Sequence, residues 1–419
     1  MKINHAILIR AFLGLLALIS STFALAEPDE AALCKEQGYP VGTAQTWFMD
    51  RCVRVGSFTH QAEIPGIFGG VANTMQSAIQ PLVLTKADKE PRFRWSVNGQ
   101  TGLTVEDYLN RQPVMALLII KDGVIQFERY QYGRTAEHRF LSQSMAKTIT
   151  AMAVGIALRE QRIKSLDDRA DVYEPTLLGT LYGETTIRNL LRMSSGAKFD
   201  ELYNGADDLF KFNVAARNGG PAAGAKVINT RLHPQGTVFN YASAETDMLA
   251  SVIRGATGQN LTQYLETRLW QPMGASTSAL WRAGPDGLEK ASANFNATAQ
   301  DYARFGILLA NNGVRPDKPN LGEIIPKDFL IEATDWRRHP NAFAPKKATS
   351  YYGYGYQVWT LPGDKRQFVL LGVYGQAIFV DPEKKLVMVH LAANATANAG
   401  QTSMGREAAS LWYGLVNHY

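Results

Sequence analysis

The chain has 419 residues, of which 46% are hydrophobic and 19% charged, with a formal net charge of +5. That composition suits a globular protein with apolar material for one large core or two coupled ones, and excludes a disordered or fibrous chain. The charge is too small and too evenly spread to argue for a nucleic-acid or membrane-surface partner.

Residues 1–26 are expected to be a signal peptide. Lys2 and Arg10 lie in a positive n-region, 11–18 is an apolar h-region, and Ala24-Leu25-Ala26 suits cleavage before Glu27. The apolar run is shorter than the ~20 residues a span needs, so no stable membrane anchor is expected after cleavage. Its removal leaves 41 basic against 38 acidic residues. The expected location is periplasmic or secreted. In an oxidising compartment Cys34 and Cys52 are expected to form one bridge, with two buried free thiols as the alternative. Two cysteines without a histidine set do not make a zinc site, and no metal or cofactor is expected. His138, His233 and His390 stand isolated and are read as structural.

Residues 27–100 are punctuated by glycine and proline and weakly periodic, as in an N-terminal extension draped over the body of 101–419. A short helix is expected over 104–111. The clearest hairpin follows: 114–120 is β-rich, Lys121-Asp122-Gly123 is the turn, and 124–130 alternates back. From 145 to about 345 the pattern is mostly helical, with 200–235 rich in loops. Strand signals return at 354–361, 367–373, 376–381 and 386–391, and a helix over 404–415 closes the chain. Both ends of the chain thus make a sheet, and a helical block is inserted between them.

The chemistry concentrates at Ser144 and Lys147, three apart at the head of the apolar run Met145, Ile149, Met152, Ile156. On a helix such positions share a face, so the amine can sit within reach of the hydroxyl; the alternative is that Ser144 caps a core helix and Lys147 extends to solvent. The positive pole of the helix favours developing negative charge there. A serine becomes nucleophilic when an adjacent base takes its proton, and a lysine is that base only when kept neutral. Ser195 and Lys198 repeat the spacing, but they follow a helix end at Gly196, the wrong pole. Two later stretches supply companions. Tyr241-Ala242-Ser243 precedes a helix and offers a phenol as proton shuttle; the alternatives are a buried aromatic for Tyr241 and an N-cap for Ser243. Val373-Tyr374-Gly375-Gln376 is a glycine-flanked strand end, where the amides of Gln376 and Ser144 would make an oxyanion hole; a bulge or twist of the strand is the alternative.

In order and spacing these three motifs resemble the serine β-lactamase and penicillin-binding-protein superfamily, especially family VIII carboxylesterases and 6-aminohexanoate-dimer hydrolases. The stretches 163–168, 186–196, 301–306 and 354–359 are similar as well, and the resemblance runs from about 113 to the end. It implies an antiparallel sheet covered by helices in an α/β (α+β) sandwich, an all-α domain beside it, and a site in the cleft between. It further implies Ser144 as acylated nucleophile, Lys147 as base and Tyr241 as proton shuttle. Two departures bear on substrate. The slot where penicillin-recognising members carry a lysine or histidine is Val373, and Ser243 stands where lactamases have asparagine. Both favour a neutral ester or amide over a β-lactam. Tyr374, with Gly375 and Ser243, is expected to contact substrate, and Asp200, Glu201 and Tyr203 to border the cleft. The expectation is an exported serine hydrolase acting on a small ester or amide; a β-lactamase or peptidase, or a non-catalytic binding protein on the same scaffold, is the alternative.

Overall fold

A computed structural model describes residues 28–397 and 403–419; the signal-peptide segment lies outside them. The hairpin forms as read. Strands β1 (Val114–Lys121) and β2 (Val124–Tyr130) pair antiparallel, and Asp122 (φ 50°) and Gly123 (φ 81°) hold the left-handed conformations that a tight two-residue turn needs. At the other end of the chain come β3 (Gly353–Tyr354), β4 (Trp359–Thr360), β5 (Phe368–Gly372), β6 (Gln376–Asp381) and β7 (Leu386–Ala392). Together they form one seven-stranded antiparallel sheet in the order β2-β1-β7-β6-β5-β4-β3. The two chain ends meet where β1 pairs with β7, Leu118 opposite Val389.

This sheet is buried on both faces, which is why β1 reads as an unbroken apolar run. Alternate residues serve two cores. Ala116, Leu118, Ile120, Val387 and Val389 join the larger core. Leu117, Ile119, Leu386 and Met388 pack with Trp95 and Trp412 on the other side. The C-terminal helix (Ser403–His418) covers this second face. Helix Ala299–Ala310 covers the first, pressed so close that a Cβ on Gly306 would stand 2.5 Å from Val387.

Three elements depart from the sequence reading. The stretch 354–361 is two short strands joined by a turn rather than one, because Gln357 takes φ 56° and its side-chain amide donates to the Leu190 carbonyl at 2.8 Å. Residues 208–227, read as loop, form the helix Asp208–Val227, capped by Asp207 and broken at Gly219 and Gly220. A second, four-stranded sheet also appears, joining Ala72–Met75, Ala279–Arg282, Phe295–Thr298 and Arg139–Leu141.

The N-terminal extension is integral to the body. Cys34 and Cys52 are bonded, and helix Arg54–His60 is buried through most of its length. Arg54, 1% exposed, donates to the carbonyls of Asn394 (2.7 Å), Ala395 (3.3 Å) and Met49 (3.1 Å). Among the described residues no helix is long and apolar enough to cross a membrane.

Candidate active site

Ser144 sits in the short turn Gln143–Met145, which runs straight into helix α1 (Ala146–Arg159). From 140 to 157 it is the only residue that is not buried. Its approach is fixed from two sides. The Ser142 amide donates to Phe295 O at 2.7 Å, tying the turn to the second sheet. Across the cleft, Gly372 ends β5 against the same turn. A Cβ there would lie 2.6 Å from Ser142 O and 2.9 Å from the Gln143 Cβ, so only glycine lets the strand come this close.

Lys147 is 1% exposed. Its Nζ lies 3.0 Å from Ser144 Oγ, 2.9 Å from Ser243 Oγ and 2.8 Å from Ser292 O. Burial pushes its pKa down to about 8; the nearby charges of Glu201 and Asp247 resist that fall and Lys290 adds to it. At pH 7 about a tenth of this amine is therefore uncharged, against well under a thousandth for an ordinary lysine. Tyr241 is perturbed the other way: burial and Glu201 push its phenol well up, while a hydrogen bond with Ser144 pulls it back. Raised in this way, the phenol keeps its proton near neutral pH. The ring lies 5.0 Å from the Lys147 Nζ and stacks on Trp359 (5.3 Å, 19°), with Tyr354 edge-on at 6.2 Å. The broken strand at 354–359 thus clamps Tyr241.

Ser243 is not an N-cap. Helix α2 (Ser243–Thr257) begins at Ser243 itself, behind Ala242. The Ser243 amide donates to Glu201 Oε2 at 2.7 Å, and its hydroxyl to Glu201 Oε1 at 2.7 Å. Tyr203 OH donates to the same Oε1 at 2.6 Å. The negative carboxylate thereby occupies the positive pole of α2.

A cavity of about 290 Å³ opens beside Ser144 and is lined also by Gln143, Glu201, Tyr203, Ser243 and Val373. Its apolar walls were not foreseen. Trp47, Phe48, Met49 and Phe68 come from the N-terminal extension, and Leu209 and Phe210 from the helix Asp208–Val227. The signal available was an aromatic cluster just before Cys52, a residue bonded to Cys34. Glu201 and Tyr203 border this cavity as expected, whereas Asp200 is exposed and does not.

Three expectations at the strand end need correction. Tyr374 does not line the cavity. It is 3% exposed, packed edge-on against Phe48 at 5.2 Å, with the Arg54 guanidinium 4.0 Å over its ring. Gly375 is buried too, since a Cβ there would stand 2.6 Å from Asn394 Nδ2. Gln376 is 1% exposed and pairs with Gly372, its side-chain amide donating to Ala392 O at 2.7 Å. The residue of this turn that reaches the cavity is Val373. The positive φ of Tyr374 (63°) turns its side chain inward.

The discounted repeat stays out of the site: Ser195 is 1% exposed and its hydroxyl donates to Glu245 Oε1 at 2.6 Å. His390 is buried, held between Tyr108 OH (2.8 Å) and Gly375 O (2.7 Å), and burial lowers its pKa to about 4. Among the described residues no cluster of His, Cys, Asp and Glu could hold a metal ion.

Comparison with known proteins identifies the family of this fold. The chain is 26% identical over 314 residues to the 6-aminohexanoate-dimer hydrolase of Paenarthrobacter ureafaciens, covering 73% of this chain and 79% of that protein. A Bacillus anthracis structure assigned as a 6-aminohexanoate-dimer hydrolase superposes with a TM-score of 0.77 at 25% identity, covering 90% of this chain and 96% of that one. A family VIII carboxylesterase shares the fold, with a TM-score of 0.56 at 16% identity over 74% of this chain and 93% of that one. The Beta-lactamase family model matches residues 104–411, and this chain, a serine hydrolase, belongs to that family.

Proposed function

We propose that the protein is an exported hydrolase that cleaves neutral esters or small amides through an acyl-enzyme on Ser144. The observation that carries this reading is a single accessible serine whose Oγ lies 3.0 Å from a buried lysine amine of lowered pKa. Neutral Lys147 takes the Ser144 proton as Oγ attacks the substrate carbonyl carbon. The tetrahedral oxyanion is held by backbone amides, with those of Ser144 and Val373 as the candidate pair. Tyr241 passes a proton to the departing alcohol or amine and takes one in turn from the Lys147 ammonium, which returns to its neutral form. Water then attacks the acyl carbon, giving a proton to Lys147; the bond to Oγ breaks, the acid leaves, and Lys147 returns that proton to Ser144.

The charge around the cavity supports a substrate without a carboxylate. Among the described residues lining it, Glu201 and Asp207 are acidic and Lys290 is the one cation. Lys290 is already paired with Asp247 and donates to Asn213 Oδ1 at 2.6 Å. A carboxylate-bearing β-lactam would meet no free partner there, forgoing a charge-assisted contact worth about 1.5–3 kcal/mol. The relative named for a 6-aminohexanoate dimer supports amide cleavage as one outcome; because that dimer ends in a carboxylate, it supports the bond cleaved and not the neutrality of the substrate. The signal-like opening and the Cys34–Cys52 bond support export.

The test sets p-nitrophenyl butyrate and a short-chain anilide beside a chromogenic cephalosporin, with Ser144→Ala as control. Ester or amide turnover that disappears in the control is expected. Brisk cephalosporin turnover without ester cleavage would reverse the substrate assignment, and turnover surviving in Ser144→Ala would refute the nucleophile.

A further inference from the structure

Resting on that reading, we propose that Glu201 is a positioning residue that aims the lone pair of Lys147 at Ser144 by capturing the proton of Ser243. Donors and acceptors around Nζ settle the argument. A neutral amine has two N–H donors and one lone pair. Three groups surround this one, and Ser292 O, at 2.8 Å, can only accept. That takes one proton.

Ser243 Oγ at 2.9 Å is ambiguous in isolation, because a hydroxyl can donate or accept. Glu201 removes the ambiguity. Its Oε1 accepts the Ser243 hydroxyl at 2.7 Å, and its Oε2 fixes the carboxylate on the Ser243 amide at 2.7 Å. With its only proton spent on Glu201, Ser243 Oγ must accept from Nζ. That takes the second proton. The lone pair then faces the remaining neighbour, Ser144 Oγ at 3.0 Å, in the orientation proton abstraction requires. Were the Ser243 hydroxyl to point at Nζ instead, it would occupy the lone pair and leave Ser144 facing an N–H.

Glu201 also acts through its charge, in the opposite sense. The charged groups acting on Lys147 are Glu201 from the 200–207 loop, Asp247 from α2 and Lys290 from the loop before Phe295–Thr298. Tyr241, also beside the amine, stays protonated. Asp247 and Lys290 are paired with each other. Removing the Glu201 charge therefore makes Lys147 easier to deprotonate while releasing Ser243 to misdirect it. A residue that merely shaped the loop would produce neither effect on the pH profile.

The experiment measures kcat/KM for p-nitrophenyl butyrate from pH 6 to 10 in wild type, Glu201→Gln, Glu201→Asp, Ser243→Ala and Glu201→Gln/Ser243→Ala. An amide cannot accept from both groups of Ser243, since one of its ends is a donor. Glu201→Gln is therefore expected to lose about tenfold or more on the plateau, with its acid limb moved to lower pH. Glu201→Asp keeps the charge but falls one methylene short, so the plateau should drop with the limb in place. In the Ser243→Ala background, Glu201→Gln should cost almost nothing further, because the hydroxyl it steers is gone. A wild-type plateau in Glu201→Gln, or an equal loss with and without Ser243, overturns the proposal. The double-variant comparison stands even where Glu201→Gln lowers the yield of folded protein. Activity lost in Ser144→Ala but intact in Glu201→Gln would sink the positioning role alone; activity retained in Ser144→Ala would sink the reading beneath it.

Discussion

Replacing Lys147 with methionine separates catalysis from stability, because the two respond to the same buried amine with opposite sign. Its pKa falls from 10.5 to about 8 on burial, which corresponds to roughly 3 kcal/mol by which the folded state disfavours the charged form. The direction follows from proton counts. Between pH 8 and 10.5 the unfolded chain still holds a proton that the folded chain has released, so wild-type stability rises with pH across that window; below 8 both states hold it and the full penalty remains. Lys147→Met has no such group. Its other titrations match wild type, so the difference in unfolding free energy, wild type minus variant, should climb by about 3 kcal/mol between pH 7.5 and 10.5. Urea unfolding at several pH values measures it. Over the same range, wild-type kcat/KM should rise through an acid limb near the Lys147 pKa of about 8, and the variant should fall by about 10²–10⁴-fold. A flat stability difference, or a variant retaining wild-type turnover, would show that this amine is neither perturbed nor the base.

Fluorophosphonate labelling, read by intact mass, should add one adduct to wild type and none to Ser144→Ala; an adduct in the variant would move the nucleophile elsewhere. In Gly372→Ala the backbone has no strain to relieve (φ −127°), but the new methyl meets Ser142 O at 2.6 Å. That variant should lose about 10²-fold in kcat while still unfolding cooperatively; unchanged kcat would refute the tight approach of β5 to the nucleophile turn. Cys34→Ser/Cys52→Ser should lose about 3 kcal/mol of stability from the freed loop and raise KM for longer acyl chains more than for acetate. Equal KM changes for both would show that the bridge does not support the Trp47–Met49 wall.

What could be read from the residues was local. Asp122-Gly123 between two β-rich runs announced a hairpin because its turn chemistry lies within four residues. Ser144 and Lys147 were legible since one helical turn fixes their relation. Tyr241 was found by order along the chain, yet its protonation state depends on burial and on Glu201, neither of which leaves a trace in spacing. The second sheet escaped because its strands are three or four residues long and Met75 meets Ala279 two hundred positions away. Tyr374 was misplaced for a similar reason: its left-handed backbone and the distant Arg54 turn it inward. Helix Asp208–Val227 hid behind Gly219, Gly220 and Pro221, which break its regularity without ending it.

The cavity draws its two apolar faces from parts of the chain remote from the nucleophile, one before residue 70 and the other around 209–210. Neither supplies an atom bonded to Lys147. Should Ser144 be acylated as proposed, exchanging bulk and shape at Trp47, Met49 or Phe210 would admit a longer, branched or more rigid substrate with the contacts of Lys147 left as they stand. On that reading selectivity is a separable property, open to redesign at the rim.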